Sequence, residues 1–335
     1  MNLERIRRAL WERMILAELL RPLLGKNEQQ LRIIDGGAGS GALPCDCWTT
    51  LPPGMVVSYG FDVDFGGLLW SKRERRLFRQ TVNPAGASLY PPNLKLVRRF
   101  RSTDGGSLAD HLRVAKETEV DCTTIDDWRE SAAIPTIDFI KLNVQGAELP
   151  ILEGANGTLP DVLGLQLEAS FVESYTGEPM FADLDQFVRK HGFAFFDILA
   201  PNVVGRVKSP VSTKVPQIAG GFRWPSKQVF EGHFLWLRDP IAVGMNLPDD
   251  KVLKLACIAE IYGQIEYAFE LLEWLKERYA ATGAADEAEA LGTVIQAAAT
   301  RYRRLLSGYF PGAALRKVVK LLGRTFYPDR PLFLR

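Results

Sequence analysis

The chain has 335 residues, 47% hydrophobic and 24% charged, a balance typical of folded globular proteins and long enough for about two domains, or for one domain with an extension. Its 41 Lys and Arg offset 40 Asp and Glu, so overall charge gives no reason to expect a nucleic-acid partner. The chain contains no uncharged apolar run of about 18 residues, which excludes a conventional membrane-spanning helix.

Residues 1–24 alternate charged and apolar residues at helical spacing, with Ile6, Leu10, Met14, Ala17 and Leu20 on one face. They lack the unbroken apolar core and small-residue cleavage site of a signal peptide, so a cytoplasmic protein with an amphipathic N-terminal helix over 1–30 is expected. The four cysteines, Cys45, Cys47, Cys122 and Cys257, do not have the usual zinc spacing and read as reduced thiols; the alternative is a metal or redox pair at Cys45 and Cys47. The three histidines fall in unrelated elements, and no metal site is expected.

Leu31–Asp35 is a short apolar strand that runs into glycines, and Val56–Phe61 is a second strand ending on Asp62. Pro44–Leu51 leaves room for only a short helix, and the Arg-rich stretch 65–118 shows no clear period. Strands are expected at Val120–Thr124, Ile137–Val144, Val162–Leu167, Phe193–Leu199 and His233–Leu237, with a helix at Phe181–His191. Alternating strands and helices predict a three-layer α/β domain around a mostly parallel sheet. The last two strands are joined by a Pro/Gly-rich stretch without a crossover helix, which suits an antiparallel pair at one sheet edge.

After Asp239-Pro240 the pattern turns helical, with breaks at Gly263, near Gly283 and at Pro311-Gly312. Ala259, Gly263 and Ala268 resemble one tetratricopeptide-like helical hairpin, which cannot bury its own face and needs a neighbour to pack on. The expected division is an N-terminal helix (1–30), a cofactor-binding domain (31–240) and a helical extension (241–335). From Arg301 onward nine Lys/Arg accompany a single acid, Asp329. Leu315, Val318, Val319 and Leu322 lie among these cations, a pattern suited to weak peripheral contact with an anionic membrane. The commoner reading of such a pattern is the solvated face of a docked helix.

Asp35-Gly36-Gly37-Ala38-Gly39-Ser40-Gly41 fits D-x-G-x-G-x-G, the nucleotide loop of class I methyltransferases. Glycines there let the backbone approach a ligand and adopt φ > 0. Asp35 suits the cationic amino end of a methionine moiety, and Asp62 suits a pair of ribose hydroxyls. The same loop also satisfies a dinucleotide fingerprint through Gly37, Gly39 and Ala42, and a tight turn without any ligand is a third reading.

Ile137–Ile198 separates these alternatives. It resembles the FkbM family of S-adenosylmethionine-dependent methyltransferases, whose signature runs approximately D-F-x-K-x-D-x-[QE]-G-x-E, then L-x-G-A. The matching residues here are Asp138, Phe139, Lys141, Asn143, Gln145, Gly146, Glu148, Leu152, Gly154 and Ala155. Weaker echoes lie at Gly86–Asn93, Thr124–Asp127 and Phe234–Arg238, so the resemblance spans about 31–240 and is concentrated in 137–198. It implies a Rossmann-like class I methyltransferase domain that uses S-adenosyl-L-methionine to methylate a hydroxyl on a sugar, glycan or other biosynthetic product.

The resemblance also suggests roles for individual residues. Asp35, Gly37, Gly39, Gly41, Asp62 and Asp126 are the expected cofactor contacts, and Asn143, Lys141 and Glu168 the expected reacting side. Lys141 either steadies negative charge or pairs with Glu148 or Asp138; Glu148 suits a helix-start cap; Glu168 is the best remaining carboxylate base. The family usually has Asp where this chain has Asn143, and asparagine cannot accept a proton. That departure keeps open a second reading, a weak or inactive methyltransferase fold that serves as a binding or assembly partner.

Overall fold

The computed structural model describes residues 14–25, 30–39, 46–63, 67–102, 104–208 and 228–309. Ile6, Leu10, Gly41, Cys45 and the basic segment from 310 onward lie outside the described residues. In chain order, helix α1 (Ile15–Leu20) precedes strands β1 (Leu31–Gly36) and β2 (Val56–Phe61), with one 3-10 segment at Asp46–Thr50 between them. Strands β3 (Leu68–Leu69) and β4 (Glu74–Thr81), short helices α2 (Leu94–Val97) and α3 (Leu108–Leu112), and β5 (Val114–Thr123) follow. Next come α4 (Ile125–Ser131), β6 (Phe139–Leu142), α5 (Glu148–Glu153), β7 (Gly164–Ser170), α6 (Phe181–Lys190), β8 (Phe193–Val204) and β9 (Gln228–Arg238). Four helices close the described chain: α7 (Pro240–Val243), α8 (Asp249–Ile261), α9 (Ile265–Thr282) and α10 (Ala285–Tyr309).

The main sheet has the order β2-β1-β6-β7-β9-β8. Its first four strands are parallel, while β9 runs antiparallel to both β7 and β8. The antiparallel pair at one edge is therefore as expected. Every residue of β6 and β7 is buried, the pattern of strands covered on both faces.

One face of the sheet packs Ile34, Ile140, Leu142, Leu165 and Leu167 against Ile151, Leu152, Leu184 and Val188 of α5 and α6. The opposite face packs Leu31, Ile33, Phe139, Leu235 and Leu237 against α8, whose residues from Lys251 to Ile261 are all buried. α8 is enclosed because Leu16 and Leu20 of α1, Leu271 and Leu275 of α9, and Leu291 and Ile295 of α10 belong to the same apolar cluster. The helical hairpin finds its neighbour in this sheet face, with Gly263 (φ +74°) and Gly283 (φ +81°) at the breaks between helices.

Two polar anchors hold this layer. Glu260 on α8 accepts hydrogen bonds from the Leu16 and Ala17 amides at 2.8 and 3.0 Å and from the Tyr302 hydroxyl, joining α1, α8 and α10. Asp138, just before β6, accepts from the Arg32 amide at 3.0 Å and pairs with Lys251 and Lys254 at 2.8 and 3.3 Å.

The strand expected at Val120–Thr124 is longer and lies outside the main sheet. β5 pairs antiparallel with β4 and parallel with β3 in a second, three-stranded sheet. The charges that made 65–118 hard to parse form cross-strand pairs: Arg75 with Glu119 and Asp121 at 3.4 and 3.2 Å, and Arg79 with Glu117 at 3.1 Å. A strand stabilised by opposite charges across a half-exposed ladder lacks the apolar run that signals a strand in sequence.

Candidate functional site

A cavity of about 730 Å³ opens at the carboxyl ends of β1, β2 and β6, beneath the second sheet. Gly36, Gly37 and Gly39 form one wall, Asp62 and Val63 another, and Asn143, Val144 and Gln145 a third. Phe61, Leu68, Leu69 and Phe78 supply apolar surface, and Ala87, Ser88 and Leu89 cover it from the segment after β4. Carboxyl ends of parallel strands are the ligand crevice of open α/β sheets, and the volume lies within the usual range for small-molecule sites.

The glycine turn is tightly defined. Gly37 has φ +75°, and a Cβ there would lie 1.9 Å from the Asn143 carbonyl oxygen. Gly39 has φ +55°, and no described residue lies within 4 Å of where its side chain would stand. Asp62 accepts from the Gly39 amide at 2.9 Å and from the Val63 amide at 2.7 Å, tying the end of β2 to this turn.

Lys141 pairs with neither Glu148 nor Asp138. Its ammonium lies 2.8 Å from Asp35 Oδ1 and donates to the Gly36 and Gly37 carbonyls at 3.4 and 3.2 Å, so it clamps the base of the glycine turn. Burial pushes the Asp35 carboxyl above its ordinary value, against the pull of Lys141. Asp35 is buried and absent from the cavity lining. Asp126 is absent from the lining as well: its oxygens accept from the Gly157 amide at 2.7 Å and the Thr158 hydroxyl at 2.6 Å, fastening α4 to the turn after α5.

Asn143 and Glu168 are brought together by a residue to which sequence reasoning gave no role. Gln145 Nε2 donates to Asn143 Oδ1 at 2.9 Å and to Glu168 Oε2 at 2.6 Å. Its carbonyl accepts from the Ser88 hydroxyl at 2.7 Å, and the Tyr175 hydroxyl lies 3.2 Å from its Oε1. Gln145 sits at φ +54°, a conformation that costs a non-glycine residue about 1–2 kcal/mol; these contacts on all sides hold it there. Its place in the Asn143-Val144-Gln145-Gly146 turn at a strand end was the available signal. Glu148 accepts from the Val144 and Gly146 amides at 2.8 and 2.9 Å, so it braces the same turn.

Beyond Glu168 lie further buried acids. Burial, then Glu231, Glu148 and Glu178, push the Glu168 carboxyl well above its ordinary value. Burial raises Glu148 to about 7 and Glu178 to about 8, although backbone amides pull both down. Such carboxyls hold protons in the folded chain that the unfolded chain has released, so stability falls as pH rises from about 4.5 to about 8. Chemical denaturation at pH 5 and pH 8 should show this fall. Glu178→Gln should flatten it by up to about 1.4 kcal/mol per pH unit within that window; an unchanged slope would remove Glu178 as a contributor.

His233, which reads from sequence as an ordinary strand histidine, faces this cluster. Its Nε2 lies 3.9 Å from Glu168 Oε1, because His233 and Glu168 are direct partners in the β7–β9 ladder. Among the described residues, no group of three or more His, Cys, Asp or Glu side chains is arranged to hold a metal ion, and no helix is long and apolar enough to cross a membrane.

Nothing among curated proteins and nothing among solved structures matches the chain. Residues 71–195 match the family model described as the Methyltransferase FkbM domain. That segment includes Asn143, Gln145 and Glu168, and folding places against it the glycine turn and Asp62, which precede it in the chain. Residues 71–195 are therefore similar to the FkbM methyltransferase domain.

Proposed function

We propose that this protein is an S-adenosylmethionine-dependent methyltransferase of Rossmann-like, class I type, acting on a hydroxyl oxygen of a sugar, glycan or other hydroxylated biosynthetic product. The observation that carries the reading is the cavity itself. It joins a glycine turn at the end of β1 and an acid at the end of β2 to the Asn143–Gln145 turn of the FkbM-matched segment.

The lining fits the cofactor's chemistry. Gly39 leaves open space beside the cavity, Asp62 presents carboxylate oxygens at its wall, and Phe61, Val63, Leu68 and Leu69 give apolar surface for a flat base. In this reading Gly37, Gly39 and Asp62 hold the nucleoside, and Lys141 acts by fixing the turn through Asp35 and two carbonyls. When bound, the cofactor supplies a methyl group activated by sulfonium. The chain must align the acceptor oxygen and remove its proton. Asn143 and Gln145 are amides and serve to orient; Glu168, held by Gln145, contacts the acceptor.

Calorimetric titration with S-adenosylhomocysteine, with NAD as control, tests the assignment. Binding of S-adenosylhomocysteine alone is expected. Binding of NAD alone would overturn the reading in favour of an oxidoreductase. Binding of neither would favour the non-catalytic alternative, which Asn143 keeps in view.

A further inference from the structure

The methyltransferase reading leaves the proton unassigned. Asn143 and Gln145 have no basic atom of suitable strength, and Lys141 is engaged with Asp35 and the glycine turn. His233 remains. It is partly exposed on the sheet face where Glu168 is buried, and the two are Cα partners across β7 and β9.

Their separation is informative. At 3.9 Å, His233 Nε2 and Glu168 Oε1 are too far apart for a direct hydrogen bond. One hydroxyl oxygen about 2.8 Å from each would fit between them, at an angle of about 90°. The other Glu168 oxygen is already fixed by Gln145 Nε2 at 2.6 Å, and Gln145 lines the cavity. Neither Glu168 nor His233 lines the cavity itself; their gap lies behind Gln145, one amide away from the proposed methyl donor's chamber.

We infer that the acceptor hydroxyl is held between His233 Nε2 and Glu168 Oε1, and that His233 takes its proton. This inference rests on the methyltransferase reading above and adds the catalytic base to it. As the acceptor oxygen bonds the methyl carbon and the carbon–sulfur bond breaks, the sulfonium becomes a neutral thioether. The hydroxyl proton passes to Nε2, and the imidazole becomes imidazolium.

The surroundings suit both partners. Burial and Lys141 on β6 keep the imidazole below its ordinary value, so it is neutral with a lone pair near neutral pH. Glu231 on β9, Glu148 on α5 and Glu178 ahead of α6 join burial in keeping Glu168 protonated, so Oε1 has a proton to donate to the acceptor oxygen.

The chain has only three histidines, so imidazole NMR of the full-length protein is tractable, with His111→Gln and His191→Gln for assignment. S-adenosylhomocysteine is added first, then ethylene glycol as a minimal hydroxyl probe. With the nucleoside bound, the His233 signals should shift saturably with glycol while those of His111 and His191 stay still. Glu168→Leu, which removes the donor to the glycol oxygen, should weaken that response at least tenfold. A bound nucleoside with a His233 signal indifferent to glycol would overturn the base assignment alone, as would an unaltered response in Glu168→Leu. Failure of the nucleoside itself to bind would sink the methyltransferase reading and the base with it. Should Glu168→Leu not fold, crystals of the wild-type nucleoside complex soaked in ethylene glycol decide. A glycol oxygen within hydrogen-bond distance of both Nε2 and Oε1 supports the inference, and an empty or closed gap overturns it.

Discussion

Gly37→Ala should abolish measurable S-adenosylhomocysteine binding, a loss of at least about 100-fold, or about 2.7 kcal/mol. Two effects act together. The backbone at φ +75° disfavours any L side chain, and the added methyl would sit 1.9 Å from the Asn143 carbonyl oxygen. Either the turn or the β6 exit must move, and both line the cavity. The turn is also linked to β2, through the Gly37 amide donating to the Phe61 carbonyl at 2.9 Å, so a shift there carries Asp62 with it. Gly39→Ala is the informative companion, because nothing among the described residues lies within 4 Å of its added methyl. At φ +55° that variant should lose about 1–2 kcal/mol of stability, and affinity chiefly through the space the methyl takes from the ligand. Calorimetry of both variants, with thermal unfolding as the fold control, checks the pair. A well-folded Gly37→Ala chain with undiminished affinity would show that this turn does not cradle the nucleoside.

Asp138→Ala should destabilise the protein by about 3–5 kcal/mol, the usual consequence of removing one partner from a buried ion pair. Asp138 is fully buried, and its loss strands the ammonium groups of Lys251 and Lys254, both nearly buried, together with the Arg32 amide. Lys251 also donates to the Asp161 carbonyl at 3.0 Å, which will retain part of its stabilisation. Urea unfolding should show a lower midpoint with an unchanged denaturant slope. Asp138→Leu combined with Lys254→Met should recover much of the loss, since an apolar replacement removes the stranded charge as well as its partner. A loss below about 1 kcal/mol would mean that the two lysines reach water without cost, in the range of an exposed pair. Asp138 belongs to the signature by which the FkbM resemblance was recognised, yet it stands at the end of β6 away from Asn143. Its work in this fold is to fasten the sheet to α8.

Parts of the site were legible in the sequence for a local reason. The glycine turn, Asp62 and Asn143 each follow directly from a strand, and parallel strands deliver their carboxyl ends to one crevice. Lys141 was legible as an ion-pair residue but with the wrong partner, because neighbours in sequence are not neighbours across a sheet. Its true partner, Asp35, is its register partner on β1. Asp126 reads from sequence as a cofactor contact or a helix-start cap; in the structure its oxygens accept from Gly157 and Thr158, 31 and 32 residues on, partners that no local pattern announces. Gln145 stands in the matched signature but has no titratable group to suggest a role, and His233 carries no distinctive local pattern; only the turn and the ladder give them partners.

The sequence by itself determined the alternation of strand and helix, the mostly parallel sheet with its antiparallel edge, and the resemblance of the 137–198 core to the FkbM family. Those features depend on apolar periodicity, glycine placement and a motif, all of which are local along the chain. Tertiary structure alone decided that residues 68–123 build a second sheet over the cavity and that α8 is buried in the same core as β1 and β6. It also decided that Asn143, Gln145, Glu168 and His233 form one connected group. These outcomes depend on strand register and on which charges meet across the sheet, and neither quantity is encoded in any short stretch of residues.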